Sequence, residues 1–387
     1  MEKLNVAVVF GGPSQEHDVS VVSAQQLMDA ADVRKINVIP VYMDFEGRFF
    51  TGPRLRDLAA YLPKPLGLNE IRFGWGEMGP CLISGGGKDD ILIDCALPVF
   101  HGPFGEDGRV QGMLEVIGIP TAGFSATNSA LAMRKDATKA LVESVGVNVV
   151  PHGIVNRASL HDENTIEKIV QTIGFPAVVK PANLGSSIGV GLAKDRATLK
   201  VLLQAALRED TFALVEPQVQ NLVELNMAVL FKDGEVKFSA IERPKSGAEL
   251  LDFKEKYLSS EGGSGGEGKL GTVVVPSQGM LSLTRDINPE IPDELTAKIH
   301  EYAAAAFSVL GLQGAPRIDF MHDAKTGELW FNEINPMPGS YGFFLWEAAE
   351  EQLLFSELID HLAQEAISGT VKAFDDPVPQ GAYLLPR

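Results

Sequence analysis

The run LNVAVVF at residues 4–10 is apolar without alternation and is halted by Gly11-Gly12. A strand that alternates buries one face; one that does not buries both, which calls for a parallel sheet covered by helices on each side. An amphipathic stretch, 17–31, follows, and then apolar runs at 36–43 and 91–100, the last ending at His101-Gly102. Strand–helix–strand alternation of this kind predicts an α/β fold with a doubly wound parallel-sheet lobe over 1–123. The Gly- and Pro-rich stretch 46–90 reads as an excursion from it. A second lobe is expected over 124–215, with a helical pattern at 125–145, short strands at 149–155, 177–180 and 212–216, and a helix at 195–208. The third, 216–387, has strands at 225–231, 236–242 and 271–276, a helix at 293–310, and a closing strand pair at 316–322 and 329–333. That pair turns at Lys325-Thr326-Gly327, and the tail from Thr370 reads as an edge segment.

Composition narrows the partners. The 387 residues carry 33 Lys+Arg against 51 Asp+Glu, a formal net charge of −18. That argues against a nucleic-acid binder or a protein of anionic membranes. No apolar run reaches the ~18 residues of a membrane span, and the start lacks the apolar stretch of a signal peptide. Cys81 and Cys95 are too few for a disulfide framework, so a cytoplasmic enzyme is expected. Glycine, at 39 residues, is in excess without any repeat, as where backbone must approach a ligand closely.

Three familiar patterns are decoys. Gly263-Ser264-Gly265-Gly266-Glu267-Gly268 and the spacing Gly263 to Lys269 match phosphate-binding loops, but the segment leads into a strand pattern instead of opening a helix. Leu270 also stands where a hydroxyl should bind the metal. The segment 259–271 instead reads as a mobile loop. Gly185-Ser186-Ser187-Ile188-Gly189 fits a nucleophile elbow, which would make a serine hydrolase using Ser187 and His361. After Gly189, however, the chain reads as a returning strand, so a hairpin loop is expected. No pair of the seven histidines has a zinc-ligand spacing.

The stronger constellation lies elsewhere. Lys180 ends the apolar run 177–179, a costly position unless the ammonium meets an anion. The small residues 182–189 beyond it free backbone N–H groups to approach phosphate oxygens. Glu216 ends another apolar strand and Glu224 lies eight residues on, where carboxylates would take an adenine edge or ribose hydroxyls. Strand alternation puts Arg317 and Asp319 on one face, and Glu333 and Asn335 on the face of the next strand. Asp319, Glu333 and Asn335 would converge as hard oxygen ligands for Mg²⁺.

On these residues the chain resembles the ATP-grasp superfamily, and within it the D-alanine–D-alanine ligase family, from about residue 4 to 368. The marks are Gly11-Gly12-Pro13-Ser14-Gln15-Glu16-His17-Asp18-Val19-Ser20 and His101-Gly102-Pro103-Phe104-Gly105-Glu106-Asp107-Gly108 with Gln111-Gly112. Met133-Arg134-Lys135, Lys256-Tyr257-Leu258 and Pro338-Gly339 add to them. The resemblance implies an ATP-grasp fold of three lobes and an ATP-dependent ligase that joins two amino acids through an acyl phosphate, in peptidoglycan precursor synthesis. It implies Lys135 and Lys180 on the ATP phosphates, with Ser186 and Ser187 of the small loop beside them. Glu216 is then expected at the adenine hinge, Glu224 on the ribose, and Asp319, Glu333 and Asn335 on two Mg²⁺ ions, with Mn²⁺ as the substitute ion.

For the substrates, Glu16 is expected to fix the first ammonium group and to close with Ser186 and Tyr257, while Lys256 reaches the γ-phosphate. His101 and Ser340 are expected beside the substrates, and Arg317 with the Gly339 N–H on the tetrahedral oxyanion. A homodimer acting on small amino acids is implied. Three departures stand out: Arg134 replaces a common Asp, Pro217 a common basic residue, and Ser340-Tyr341-Gly342-Phe343-Phe344-Leu345-Trp346 a hydroxyl-rich loop that grips the second D-alanine. The alternatives are therefore a ligase of the same fold with a different second substrate (another dipeptide, a depsipeptide or an amide), and an ATP-binding regulatory pseudoenzyme.

Overall fold

A computed structural model describes residues 3–61, 65–84, 90–185, 188–245 and 285–369. Three sheets carry the site. The first holds β1 (Leu4–Gly11), β2 (Ile36–Met43), β3 (Phe49–Thr51), β4 (Asn69–Gly76), β5 (Gly79–Ser84), β6 (Ile91–Leu92) and β7 (Cys95–Val99), in the order β6-β5-β4-β3-β2-β1-β7. β1 runs parallel to both β2 and β7. Its Val6, Val8 and Phe10 pack with α1 (His17–Ala30), while Ala7 and Val9 pack with Val110 and Leu114 of α2 (Arg109–Ile117). The non-alternating run is therefore buried on both faces, as its pattern requires. Within 46–90 the chain is not wholly an excursion: β3 to β6 extend the sheet in antiparallel fashion, with tight turns at Gly47, between β2 and β3, and at Gly79, between β4 and β5, both at positive φ.

The helical pattern 125–145 forms two helices, α3 (Ala126–Met133) and α4 (Lys135–Glu143), separated at Arg134 (φ −92°, ψ 95°). The Arg134 guanidinium stacks over Phe212 at 4.1 Å and pairs with Asp136 at 2.9 Å. The break starts α4 at Lys135, whose N–H donates to Ala182 O at 3.0 Å. The second sheet holds β8 (Gly153–Asn156), β9 (Ala177–Pro181), β10 (Gly191–Ala193) and β11 (Phe212–Pro217), in the order β10-β9-β11-β8. It is covered by α5 (Glu163–Ile173) and α6 (Arg196–Glu209). β10 returns antiparallel to β9, Gly191 opposite Val179, so no helix follows the Gly185–Gly189 segment as a nucleophile elbow would need.

The third sheet, in the order β14-β13-β12-β15-β16, contains β12 (Leu222–Lys232), β13 (Glu235–Pro244), β14 (Arg285–Ile287), β15 (Arg317–Asp323) and β16 (Leu329–Asn335). One of its faces packs on α7 (Asp293–Val309). From the other, Ala228 and Leu230 join the core of the first sheet, with Tyr341, with Leu345 and Trp346 of α8 (Phe343–Glu347), and with Leu358 and Leu362 of α9 (Phe355–Gly369). That shared core fixes the first sheet against the third. The strand read at 271–276 and the tail from Thr370 lie outside the described residues.

Candidate active site

Register builds the floor of the site. Glu242, Asn226, Asp319 and Glu333 stand in one row across β13, β12, β15 and β16, and Arg317 stands opposite Asn335 one step along. The second sheet supplies the roof, with Lys180 at the end of β9 and Glu216 at the end of β11. Between them lies a cleft of about 680 Å³, lined by Lys135, Lys180, Glu216, Glu224, Asp319 and Glu333 among others.

The roof is held by a buried charge cluster. Glu216 sits 2.7 Å from Lys180 Nζ and 2.9 Å from Lys139 Nζ, and the Lys139 side chain is fully buried. Burial opposes ionisation of Glu216, but the two ammonium groups outweigh it and hold the carboxyl down to about 2. Lys180 donates onward to Asn332 Oδ1 at 3.1 Å, and Lys139 to Phe331 O at 3.3 Å, which ties the roof to β16. Lys135 reaches Glu333 at 3.0 Å and donates to Leu184 O at 2.7 Å. Lys139 was not found by sequence reasoning, although it follows Lys135 by one helical turn and so shares its face.

On the floor, Arg317 grips Asp319 with two hydrogen bonds of 2.7 and 2.8 Å. Burial pushes Asp319 up to about 6, Arg317 opposing and Glu333 adding to the rise. Asp319 and Glu333 offer adjacent hard oxygen donors, the type a divalent cation prefers. The Asn335 amide oxygen accepts from Met337 N–H at 3.0 Å, and among the described residues no three His, Cys, Asp or Glu side chains form a cage. The residues fit an ion completed by phosphate oxygens better than one enclosed by protein.

The wall comes from the first sheet. Gly102 takes a φ of +75°, and a Cβ there would stand 2.4 Å from Ser14 Oγ and 2.8 Å from Glu16 Oε2, so only glycine lets Glu16 lie against this loop. A Cβ on Gly185 would lie 3.7 Å from the same oxygen, which puts Glu16 beside the loop after β9. His101 Nε2 is 3.2 Å from Ser23 Oγ, and burial, with Arg317 nearby, lowers its pKa to about 4. Glu106, also missed by sequence reasoning, accepts from Gly102 N–H at 2.8 Å; burial pushes it up to about 8.

Past Gly339, Ser340 donates its hydroxyl to Gln26 and Tyr341 donates to Pro98 O at 2.5 Å. Tyr341, Leu345 and Trp346 are buried, so packing accounts for three of the residues that depart from a hydroxyl-rich loop. Ser186, Ser187, Lys256 and Tyr257 lie outside the described residues. The structure thus brings together Glu16, His101, Lys135, Lys180, Glu216, Glu224, Arg317, Asp319 and Glu333, while Asn335 and Ser340 spend their polar groups on protein partners.

Known proteins match the chain over most of its length. A family model described as D-ala D-ala ligase N-terminus matches residues 5–124, and one described as D-ala D-ala ligase C-terminus matches 141–269 and 281–364. A D-alanine–D-alanine ligase of Thermosipho melanesiensis is 33% identical over 93% of this chain and 92% of its own length. Another, of Chlorobium phaeovibrioides, is 31% identical over 95% of this chain and 98% of its own. Among solved structures, the D-alanine–D-alanine ligase from Coxiella burnetii superposes with a TM-score of 0.78 at 25% identity, covering 96% of this chain and 95% of that one. The VanG D-Ala:D-Ser ligase from Enterococcus faecalis shares the fold, with a TM-score of 0.76 at 24% identity over 94% of this chain and 100% of its own.

Proposed function

The chain belongs to the D-alanine–D-alanine ligase family, with the ATP-grasp fold, and on that premise we propose that it joins two D-alanines with ATP for peptidoglycan precursor synthesis. A carboxylate is a poor electrophile because oxide would have to leave. One carboxylate oxygen of the first amino acid therefore attacks the γ-phosphorus, ADP departs, and an acyl phosphate forms. The amine of the second amino acid then attacks the acyl carbon and loses a proton; phosphate leaves and the amide remains.

Phosphoryl transfer asks chiefly for positioning and charge neutralisation. Lys135 and Lys180 supply positive charge to the phosphates, with Ser186 and Ser187 in the same loop, and Glu216 keeps Lys180 in place. Glu224 takes the ribose and Glu216 borders the adenine. Glu16 and His101 orient the first amino acid beside Ser340, and Arg317 with the Gly339 N–H takes the developing oxyanion. Lys256 and Tyr257 complete the site from the segment that follows β13. Divalent metal, as Mg²⁺ in two ions held by Asp319, Glu333 and Asn335, with Mn²⁺ as substitute, would neutralise the phosphate oxygens.

The observation that carries this reading is the facing of Lys135 and Lys180 by Asp319 and Glu333 across one cleft, in a chain matched to the family along its length. ADP release with ATP, Mg²⁺ and D-alanine, with the dipeptide identified by mass, tests it. ADP release that stays at background with every amino acid and amine tried would instead support a regulatory ATP-binding module, and release only with other amines would support a ligase of different second substrate. The described residues contain no helix long and apolar enough to cross a membrane. A cytoplasmic homodimer, organised as lobes 1–123, 124–215 and 216–387, is part of the proposal, and sedimentation of the purified chain tests the dimer.

A further inference from the structure

Resting on the ligase reading, we infer that Arg285 receives the α-carboxylate of the second, amine-donating amino acid, and that Glu242 and Phe344 hold it in position to do so. Joining two amino acids, instead of an amino acid and a simple amine, calls for hydrogen-bond donors that recognise that carboxylate, and a guanidinium is the strongest of these. Of the segment after Gly339, both hydroxyls are already committed, Ser340 to Gln26 and Tyr341 to Pro98 O. Arg285 is a cation that the same cleft supplies.

Arg285 opens β14 at the edge of the third sheet and lines the same cleft as Arg317 and Asp319. Its Nη1 lies 2.7 Å from Glu242 Oε2, on a carboxylate whose side chain is 2% exposed. Glu242 is fixed in turn by Asn226 Nδ2, which donates to its Oε1 at 3.1 Å, and Arg317 Nη1 stands 3.7 Å from that oxygen. The guanidinium carbon of Arg285 also sits 4.8 Å from the centre of the Phe344 ring, within cation–π range. Phe344 belongs to α8, immediately after the segment that begins at Gly339.

Arg285 and Arg317 thus share Glu242, whereas Lys135 and Lys180 are held by Glu333 and Glu216; in the ligase reading these two pairs serve the acyl and the phosphate ends of the cleft. A guanidinium carries five donors in a planar fork, enough to hold Glu242 and a second carboxylate at once, and the fork matches a carboxylate bidentately. The aromatic residue in place of a hydroxyl then acquires a purpose: its ring carries the cation that reads the carboxylate.

The test is steady-state ADP release by R285A, R285K and F344L enzymes. D-alanine is varied and fitted with separate constants for its two positions, and D-alaninamide serves as an amine that has no carboxylate to bind or to activate. For R285A we expect the KM of the second position to rise at least tenfold, with the KM of the first position and of ATP within twofold. Its preference for D-alanine over D-alaninamide should fall by a similar factor. R285K should recover part of both, and F344L, which keeps the cation and removes its support, should show a smaller rise. An unchanged second KM would overturn the inference. So would a rise confined to ATP, which would make Arg285 a phosphate ligand, or a loss of kcat with every KM intact, which would make it structural. Wild-type enzyme that forms no D-alanyl-D-alanine would overturn the ligase reading itself, before any variant is compared.

Discussion

Lys139 shows how a single buried charge is tolerated. Burial drives its pKa down, yet Glu216 at 2.9 Å and the carbonyl of Phe331 give the ammonium what water would have supplied. Removing it leaves Glu216 with Lys180 alone in a water-poor place. Lys139→Met should cost about 3 kcal/mol, the usual range for breaking a buried ion pair, read as a lower urea midpoint. Lys180→Ala should in addition abolish ADP release, because Lys180 faces the cleft as well as Glu216.

Glu365 behaves in the opposite way. It accepts from Gly314 N–H at 2.8 Å, and burial pushes it from an ordinary 4.5 up to about 7. Between those values the folded chain holds a proton that the unfolded chain has released. Stability from this group is therefore fully present below pH 4.5 and is lost as pH rises to about 7. Glu365→Gln keeps the acceptor and removes the titration, so it should stabilise the protein by about 2 kcal/mol at pH 8 and do nothing at pH 4. Urea midpoints at the two values measure this directly. A gain of equal size at both would remove titration as its cause.

Elements place these residues. Asp195 caps α6 by accepting from Thr198 N–H at 2.8 Å and does not line the cleft. Asp195→Ala should cost about 1 kcal/mol and leave kcat/KM unchanged, a control showing that loss of stability alone does not silence the site. Where burial dictates pattern, the elements could be read from residue order: β1 by its unbroken apolar run, the β9–β10 return by Gly189 followed by small apolar residues, and the Arg317/Asp319 face by alternation. Where a tertiary partner decides, they could not. The helical period continues through 125–145, and the break at Arg134 goes with partners distant in sequence, Phe212 under its guanidinium and Ala182 O on the next N–H. The antiparallel extension of the first sheet hid in a Gly- and Pro-rich stretch for the same reason: β3 and β6 are very short, and all four strands are defined by pairing with their neighbours. Glu106, Glu242 and Arg285 gave no signal, because a carboxylate or guanidinium in a strand or loop becomes informative only once register shows what it faces.

At the scale of the whole molecule, the surplus of 18 negative charges and an anionic nucleotide are reconciled by position. Lys135, Lys180, Arg285 and Arg317 line one cleft, and Asp319 and Glu333 at its floor suit a divalent ion that would bring the rest of the positive charge. The core shared by the first and third sheets keeps His101 near Arg317, so the wall and floor meet as one unit. The most direct measurement is stoichiometric: purified chain, ATP, Mg²⁺ and D-alanine, with ADP and dipeptide counted together, for wild type and Glu333→Ala. The account predicts one ADP for each D-alanyl-D-alanine from the wild type and neither from the variant. Dipeptide formed undiminished by Glu333→Ala, or ADP released from the wild type with no dipeptide, would contradict it.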